Sequence, residues 1–285
     1  RIASQTDGRE QVRWMLGAAR VYLDVDLPRS AETWCQRALA RDDNAALLLG
    51  TCLVKQHRLA DAIRLYQSTA ERAAAQQSES AAAAFSAQLA QSLVTNLAEN
   101  HAGRDEYAQA APLIERWLGE QPNHPDMLFA GALYMTLQDR DEEAIRLFEQ
   151  VIRLEPRHVV ALNNLATLLA EQPPRRAEAL AHLDQAMRTI GRQPALLDTQ
   201  GTVFLLSGDH AQAVQSLEEA TQSDDSDPRY WFHLAAAYFR AGQAEAAGSA
   251  FAKAQQLGLD EQVLTASDRA FRSELIQAFG TGRAT

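Results

Sequence analysis

Side chains that could support metal or nucleophilic chemistry are scattered through this sequence without a recognisable spacing. No two of its seven histidines stand four residues apart, and no His-Glu-x-x-His motif occurs. Glycine-rich phosphate-binding loops and the Gly-x-Ser-x-Gly nucleophile turn are also missing from the sequence. We therefore predict a protein without catalysis, metal or cofactor, in which the histidines are solvated side chains.

Two smaller groups could bind an ion or undergo redox chemistry. Residues 224–227 (Asp-Asp-Ser-Asp) are similar to a calcium loop, but the sixth-position Gly and the twelfth-position Glu are absent. Cys35 and Cys52 by themselves provide neither four metal ligands nor a disulfide framework. We interpret the acidic run as a turn between helices and the cysteines as small buried residues.

The elements that would position any site are predicted to be helices. The chain has 285 residues, of which 53 are Ala, with 14 Gly and 9 Pro. Alanine loses the least free energy on entering a helix, and the enrichment in β-branched and aromatic residues that sheets require is absent. We expect a helix content above roughly 70%, against about a third in an average globular protein.

Charge and hydropathy exclude two classes of partner. The formal net charge is −10 and the pI is about 5.2, and no basic stripe offsets this charge, so we predict no binding to nucleic acid. No run of 18 apolar residues occurs, so we predict no insertion into a membrane. The chain starts at Arg1 and shows no signal-peptide pattern, so we expect a mature form or a fragment of a longer protein, cytoplasmic or periplasmic.

A pattern of apolar and small residues repeats about every 34 positions. Leu197, Gly201 and Phe204, for example, each precede an equivalent residue, Trp231, Ala235 and Tyr238, by 34 positions. Small residues recur at one fixed place, where they allow two helices to approach closely: Ala19, Gly50, Ala98, Gly131, Ala166, Gly201 and Ala235. The spacing of i, i+3, i+4 and i+7 within each half predicts a pair of amphipathic helices per repeat. The four tryptophans stand at helix-packing positions and are predicted to be in the core.

This pattern resembles the tetratricopeptide repeat family over residues 12–261, with about seven repeats. Residues 147–156 (Leu-Phe-Glu-Gln-Val-Ile-Arg-Leu-Glu-Pro) and 161–166 (Ala-Leu-Asn-Asn-Leu-Ala) carry the resemblance most clearly. The resemblance implies an all-α fold, an α-solenoid of antiparallel helix pairs in a right-handed superhelix. Its concave face would be lined by the first helix of each repeat.

The chain is expected to form one elongated domain over residues 1–285. We place the repeats at 12–42, 43–76, 91–124, 125–158, 159–193, 194–227 and 228–261. An insertion at 77–90 is expected to lengthen the neighbouring helices, with a break near Ser78. A helix within 262–280, opened by Thr265-x-x-Asp268, would cap the last repeat, and residues 1–8 and 281–285 are expected to be disordered.

The resemblance also implies a set of residues that face the groove. By the family's offsets these are Asn163, Thr167, Asp198, Thr202, Arg229, Phe232, Phe239 and Arg240. The asparagine would bind the main chain of an extended peptide, the two phenylalanines would form an apolar pocket, and the two arginines would pair with a carboxylate. The alternatives are that Asn163 merely solvates its helix and that Phe239 packs against the following helix.

We therefore predict a protein–protein interaction scaffold that binds a peptide or a partner segment in this groove. Two alternatives remain open. The chain could be a structural spacer of a larger envelope, secretion or polysaccharide-export protein. It could also form a homo-oligomer through the exposed ends of its repeat array.

Overall fold

The computed structural model describes residues 2–99, 104–259 and 264–280, and 83% of these residues are helical. The described residues contain fifteen α-helices, one short 3-10 turn at Pro173–Arg175 and no strand. The predicted all-α fold and the predicted helix content are confirmed. The helices are α1 Ile2–Asp24, α2 Pro28–Leu39, α3 Ala45–Lys55, α4 Leu59–Gln76, α5 Glu79–Glu99, α6 Arg104–Glu120, α7 Pro125–Thr136, α8 Asp141–Leu154, α9 Val159–Ala170, α10 Arg176–Ile190, α11 Pro194–Ser207, α12 His210–Ser223, α13 Pro228–Arg240, α14 Ala244–Gln256 and α15 Ala266–Phe279.

The chain divides into two compact units, Arg1–Val151 and Ile152–Thr285. In the first unit α1 packs on α2, and α3 packs on α4. In the second unit α9 packs on α10, α11 on α12, and α13 on α14, while α15 packs on α13 and α14. Each unit is thus a stack of helix pairs, as the periodicity predicts.

Proline sets the beginning of several helices. Pro125, Pro194 and Pro228 each occupy the first position of a helix, where a backbone N–H has no helical acceptor and its loss costs nothing. Pro122 and Pro156, which the sequence places at the ends of repeats, lie in the short loops that precede α7 and α9.

α4 and α5 are two long helices separated by a short break, as expected from the insertion at 77–90. α4 ends at Gln76, and α5 begins at Glu79, so that only two residues separate them. The hydroxyl of Ser78 accepts a hydrogen bond from the N–H of Ala81 at 3.3 Å, which caps α5. Residues 79–90 are therefore not a loop but the first half of α5, where Phe85 and Leu89 are buried.

The structure corrects two expectations near the N-terminus. α1 begins at Ile2, so the backbone of residues 2–8 is helical rather than disordered; residues 281–285 lie outside the described residues. Trp14 is 79% exposed rather than buried, whereas Trp117 is buried as expected. α1 packs on α2 and α3 with its opposite face, and Trp14 lies on the face that neither helix covers.

At the small residues that recur once per repeat, side chains of a neighbouring helix lie close to the backbone. A Cβ added to Gly50 would lie 1.9 Å from the hydroxyl oxygen of Tyr66, and one added to Gly201 would lie 2.4 Å from Cγ of Leu217. Both distances are far below van der Waals contact. The phenol of Tyr66 is fully buried and accepts or donates a 3.0 Å hydrogen bond with Ser92, so it cannot move aside.

We predict that Gly50→Ala lowers the free energy of unfolding of the first unit by about 1–3 kcal/mol, the usual cost of overpacking a core. Gly17→Ala is the matched control, because Gly17 lies in the middle of α1 and a Cβ added there would meet no neighbouring side chain within 4 Å; it should stabilise α1 by about 0.5–1 kcal/mol. Urea denaturation followed by circular dichroism measures both. Equal effects of the two substitutions would contradict the proposed role of the small residues.

Candidate functional site

The second unit contains a polar cavity of about 200 Å³ between its first helices. Its lining comes from α9, α11 and α13, from the residue after α9, and from the start of α15; no residue of α10, α12 or α14 takes part. The lining residues are Asn163, Asn164, Thr167, Ala170, Glu171, Ala195, Asp198, Thr199, Thr202, Leu206, Arg229, Tyr230, His233, Leu264, Thr265 and Asp268.

Five of the eight predicted groove residues line this cavity. Asn163 and Thr167 lie one turn apart on α9, and Asp198 and Thr202 lie one turn apart on α11. Arg229 lies in the first turn of α13. The structure therefore brings together side chains that are up to 66 positions apart in the sequence, because three consecutive first helices are stacked side by side.

The other three predicted residues do not line the cavity, and α15 is the reason for two of them. Phe239 packs edge-on against Phe279 of α15, with 5.9 Å between the ring centroids. Arg240 forms a 2.7 Å ion pair with Glu274 of α15. α15 thus supplies partners within the chain for both residues, so Arg240 already has a carboxylate. Phe239 packs against α15 and not against α14, the helix that follows α13 and that the alternative named.

Phe232 is fully buried in the core of the second unit, so the apolar pocket predicted there does not exist on the surface. It lies next to Leu217, Ala236 and Phe251 in the same cluster of buried side chains. Its position on α13 points into the stack of helix pairs rather than toward the cavity. The register assumed for the last repeat therefore fails at this position.

Arg229 lines the cavity, but its guanidinium already has a carboxylate partner. Asp227 accepts hydrogen bonds from Nη2 at 2.6 Å and from Nε at 3.1 Å, and it also caps α13 by accepting from the backbone N–H of Arg229. This bond with Asp227 raises the pKa of Arg229. The prediction that Arg229 pairs with a partner's carboxylate loses its basis, because its own chain supplies that group.

Asp198, His233 and Asp268 form what we call the floor of the cavity, in which a buried histidine lies between two aspartates. The sequence did not predict this arrangement. Nδ1 of His233 lies 2.7 Å from Oδ1 of Asp198, and Nε2 lies 3.2 Å from Oδ1 of Asp268. All three side chains are buried. The second contact has the distance of an ion pair without the alignment of a hydrogen bond.

Burial and charge act in opposite directions on this group. Burial alone would disfavour the imidazolium, but the carboxylates of Asp198 and Asp268 outweigh burial and raise the pKa of His233 to about 10. Burial would likewise favour the protonated form of Asp268, yet the ion pair with His233, together with the hydrogen bond from the N–H of Thr265, outweighs burial and holds the pKa of Asp268 at about 2. At neutral pH the floor is therefore an imidazolium between two carboxylates, and it ties α15 to α11 and α13.

Of the residues of the floor, only Asp268 belongs to a local sequence motif. Thr265-x-x-Asp268 predicted a helix cap, and the structure confirms a capping box in which each side chain bonds the other's backbone N–H. That the same carboxylate also meets His233 depends on how α15 crosses α13, and no spacing in the sequence reveals it. Among the described residues no three His, Cys, Asp or Glu side chains are arranged to hold a metal.

The acidic run at residues 224–227 forms a turn, as expected. Oδ1 of Asp224 accepts hydrogen bonds from the backbone N–H and the hydroxyl of Ser226, at 3.0 and 2.7 Å. Asp227 caps α13. The carboxylates of Asp224 and Asp227 are thus committed to the start of α13 rather than to an ion.

We predict that His233→Gln lowers the free energy of unfolding by about 3–5 kcal/mol at pH 6, since it leaves two buried carboxylates without a cation. Because the pKa of His233 is raised on folding from 6.5 to about 10, its contribution is complete below about pH 6.5 and is lost as the pH rises through 10. The difference between wild type and variant should therefore shrink from pH 6 to pH 10.5.

Urea denaturation over this pH range measures the difference. The control is His182→Gln, because His182 stands on α10 beside the partly exposed Glu178 and makes no buried bridge; it should change stability little at any pH. A difference for His233→Gln that is constant or grows with pH would contradict the assignment.

Residues 199–260 match the family model of the tetratricopeptide repeat. No curated protein matches the chain in sequence. A tetratricopeptide repeat protein from Parabacteroides merdae has a similar structure, with a TM-score of 0.62 and 15% identity over 95% of this chain and 100% of that one.

Two further solved structures share the fold. A thermophilic tetratricopeptide repeat protein of Thermus thermophilus has a TM-score of 0.54 and 23% identity over 67% of this chain and 98% of that one. PilW, a widely conserved type IV pilus biogenesis factor, has a TM-score of 0.54 and 22% identity over 69% of this chain and 87% of that one. The 34-residue period, the stacked helix pairs and these solved structures agree: the chain has the fold of tetratricopeptide repeat proteins, and its residues 199–260 match the model of that family.

Proposed function

We propose that the chain is a non-catalytic scaffold that binds an extended segment of another protein in the cavity of its second unit. The observation that supports this proposal is the convergence of polar groups from three stacked helices on one cavity. Oδ1 of Asn163 is completely buried and has no hydrogen-bond donor, although it lines the cavity. A buried acceptor without a donor is unfavourable, and a backbone N–H of a bound peptide would satisfy it.

The cavity has the composition of a recognition site rather than of a reaction centre. Its floor is an ion-paired imidazolium, which at neutral pH has no free lone pair to act as a base. Its walls carry threonines whose hydroxyls bond their own helices and so are not activated as nucleophiles. The fold recurs in PilW, a pilus biogenesis factor, which is compatible with a role in bringing proteins together.

The test begins with a ligand selected without knowledge of the natural partner. A library of random 12-residue peptides displayed on phage is selected against the immobilised full chain, and an enriched peptide is synthesised. We predict that Asn163→Ala weakens binding of this peptide by about 1–3 kcal/mol, the usual cost of removing an anchor. The fold should be unaffected, because Oδ1 of Asn163 accepts no hydrogen bond within the described residues.

The matched control is Gln222→Ala, which removes an amide from an exposed position on α12, away from the cavity. It should leave affinity unchanged in calorimetric titration. Equal affinity of wild type and Asn163→Ala, with both proteins folded by circular dichroism, would exclude the cavity as the binding site.

Self-association is a second candidate, and the exposed face of α1 favours it. Trp14, Val21 and Val25 are 79%, 62% and 61% exposed and lie along α1 and the residue that follows it. An apolar stripe of this kind is rarely left in water. We propose a second copy of this chain as its occupant, because this stripe is the kind of apolar face that the helix pairs of the chain bury against one another.

We predict that the mass measured by light scattering rises toward that of a dimer as the protein concentration increases. Trp14→Glu should keep the protein monomeric, because it replaces the largest apolar side chain of the stripe with a charged one. A wild type that is monomeric at every concentration would eliminate this candidate.

A further inference from the structure

Three of the hydroxyl groups that line the cavity donate their hydrogens to carbonyls of their own helices. Thr167 donates to the carbonyl of Asn163 at 3.1 Å, and Thr202 donates to the carbonyl of Asp198 at 3.0 Å. Thr199 donates to Ala195 of its own helix at 3.1 Å. What these three side chains can still offer to a ligand is the lone pairs of their oxygens.

The remaining polar groups add more acceptors. Oδ1 of Asn163 has no donor, as described above. Glu171 receives one hydrogen bond, from the hydroxyl of Ser267 at 2.6 Å, although a carboxylate can accept several. Asp198 is bonded to His233 through Oδ1 alone. These side chains therefore leave several acceptors unoccupied, and this favours a ligand that supplies donors.

The charges of the lining residues point the same way. His233 carries one positive charge against the two negative charges of Asp198 and Asp268, so one negative charge is left over. Arg229 is neutralised by Asp227. Glu171 adds a further negative charge at the end of α9, where the carbonyls of the helix also carry partial negative charge.

Two further arginines do not line the cavity but donate hydrogen bonds to backbone carbonyls of residues that do. Arg176 donates to the carbonyls of Ala170 and Leu206, and Arg269 donates to the carbonyl of Leu264 at 2.7 Å. The two positive charges balance the two negative charges left over in the lining, so what distinguishes the lining is its unoccupied acceptors rather than a net charge. Arg176 also shows that the helix ends at this cavity hold a cation in the folded chain.

On the basis of the proposed function, we infer that the cavity recognises a basic side chain of the bound segment, a lysine ammonium or an arginine guanidinium. The cation would supply donors to Asn163, Glu171 and Asp198, which have capacity left to accept them. This is the opposite of the acidic partner that the two groove arginines suggested from the sequence. Both of those arginines are paired with carboxylates of their own chain.

The experiment compares the peptides that three forms of the full chain select from the same displayed library. Wild type should enrich Lys or Arg at one position over the unselected library. Glu171→Lys reverses the charge at the cavity and should abolish this enrichment, and Glu171→Gln should reduce it. Asp184→Lys is the matched control, since Asp184 is 64% exposed on α10 and far from the lining; it should keep the wild-type enrichment.

A second measurement uses the enriched peptide itself. Replacing its basic residue by norleucine keeps the aliphatic chain and removes the charge, and should weaken binding about tenfold, as expected for the loss of a charge-assisted hydrogen bond. Circular dichroism and thermal melting confirm that each variant is folded. If Glu171→Lys does not fold, Glu171→Gln and the norleucine peptide carry the test.

The outcomes separate the inference from the function on which it rests. Peptides enriched without a basic residue, or enriched in Asp and Glu, would overturn the inference and leave the scaffold function standing. Basic peptides that bind Glu171→Lys as well as wild type would also overturn it, because the cation would then lie elsewhere. A wild type that enriches no peptide would overturn the proposed function together with the inference.

Discussion

A pair of short amphipathic helices cannot bury its own apolar face, and in each unit every pair depends on the next one for its stability. This constraint explains why small residues recur at one position of the repeat. Helices that bury their apolar faces against each other must approach closely, as they do at Gly50, Gly131 and Gly201. It also explains why the last pair needs a different neighbour. The final apolar face has no repeat to follow it, and α15 covers it.

The way in which α15 ends the array creates the candidate site. Phe239 and Arg240, which the family's offsets place in the groove, instead contact Phe279 and Glu274 of α15. At the other end of the same helix, Asp268 reaches His233 and closes the floor of the cavity. Ser267 meanwhile bonds Glu171 across 96 positions of sequence. α15 therefore both covers the last apolar face and, with α9, α11 and α13, encloses the polar cavity.

The sequence predicted the part of this arrangement that repeats. Asn163, Thr167, Asp198 and Thr202 were found because the groove positions of the family that the chain resembles fall on them in consecutive first helices, and the stacking of these helices brings them together. Thr265 and Asp268 were found because a capping box is local. In both cases the positions of the residues along the sequence were enough to predict which side chains lie close together.

What could not be predicted depends on contacts that do not repeat. The burial of Phe232 depends on the register of a single helix, and the covering of Phe239 depends on the crossing of α15 over α13. The bridge formed by His233 joins residues 35 positions apart on either side and depends on the same crossing. The pairing of Arg229 with Asp227 is local, but an aspartate two residues before an arginine is too common a pattern to signal a bidentate bond.

Whether a partner segment occupies the cavity of the second unit can be decided by a crystal structure of the full chain with a peptide enriched by display. We expect the peptide to lie against α9, α11 and α13, with a donor within hydrogen-bond distance of Oδ1 of Asn163. A peptide bound to α10, α12 and α14, or to the exposed face of α1, with the cavity left empty, would contradict it.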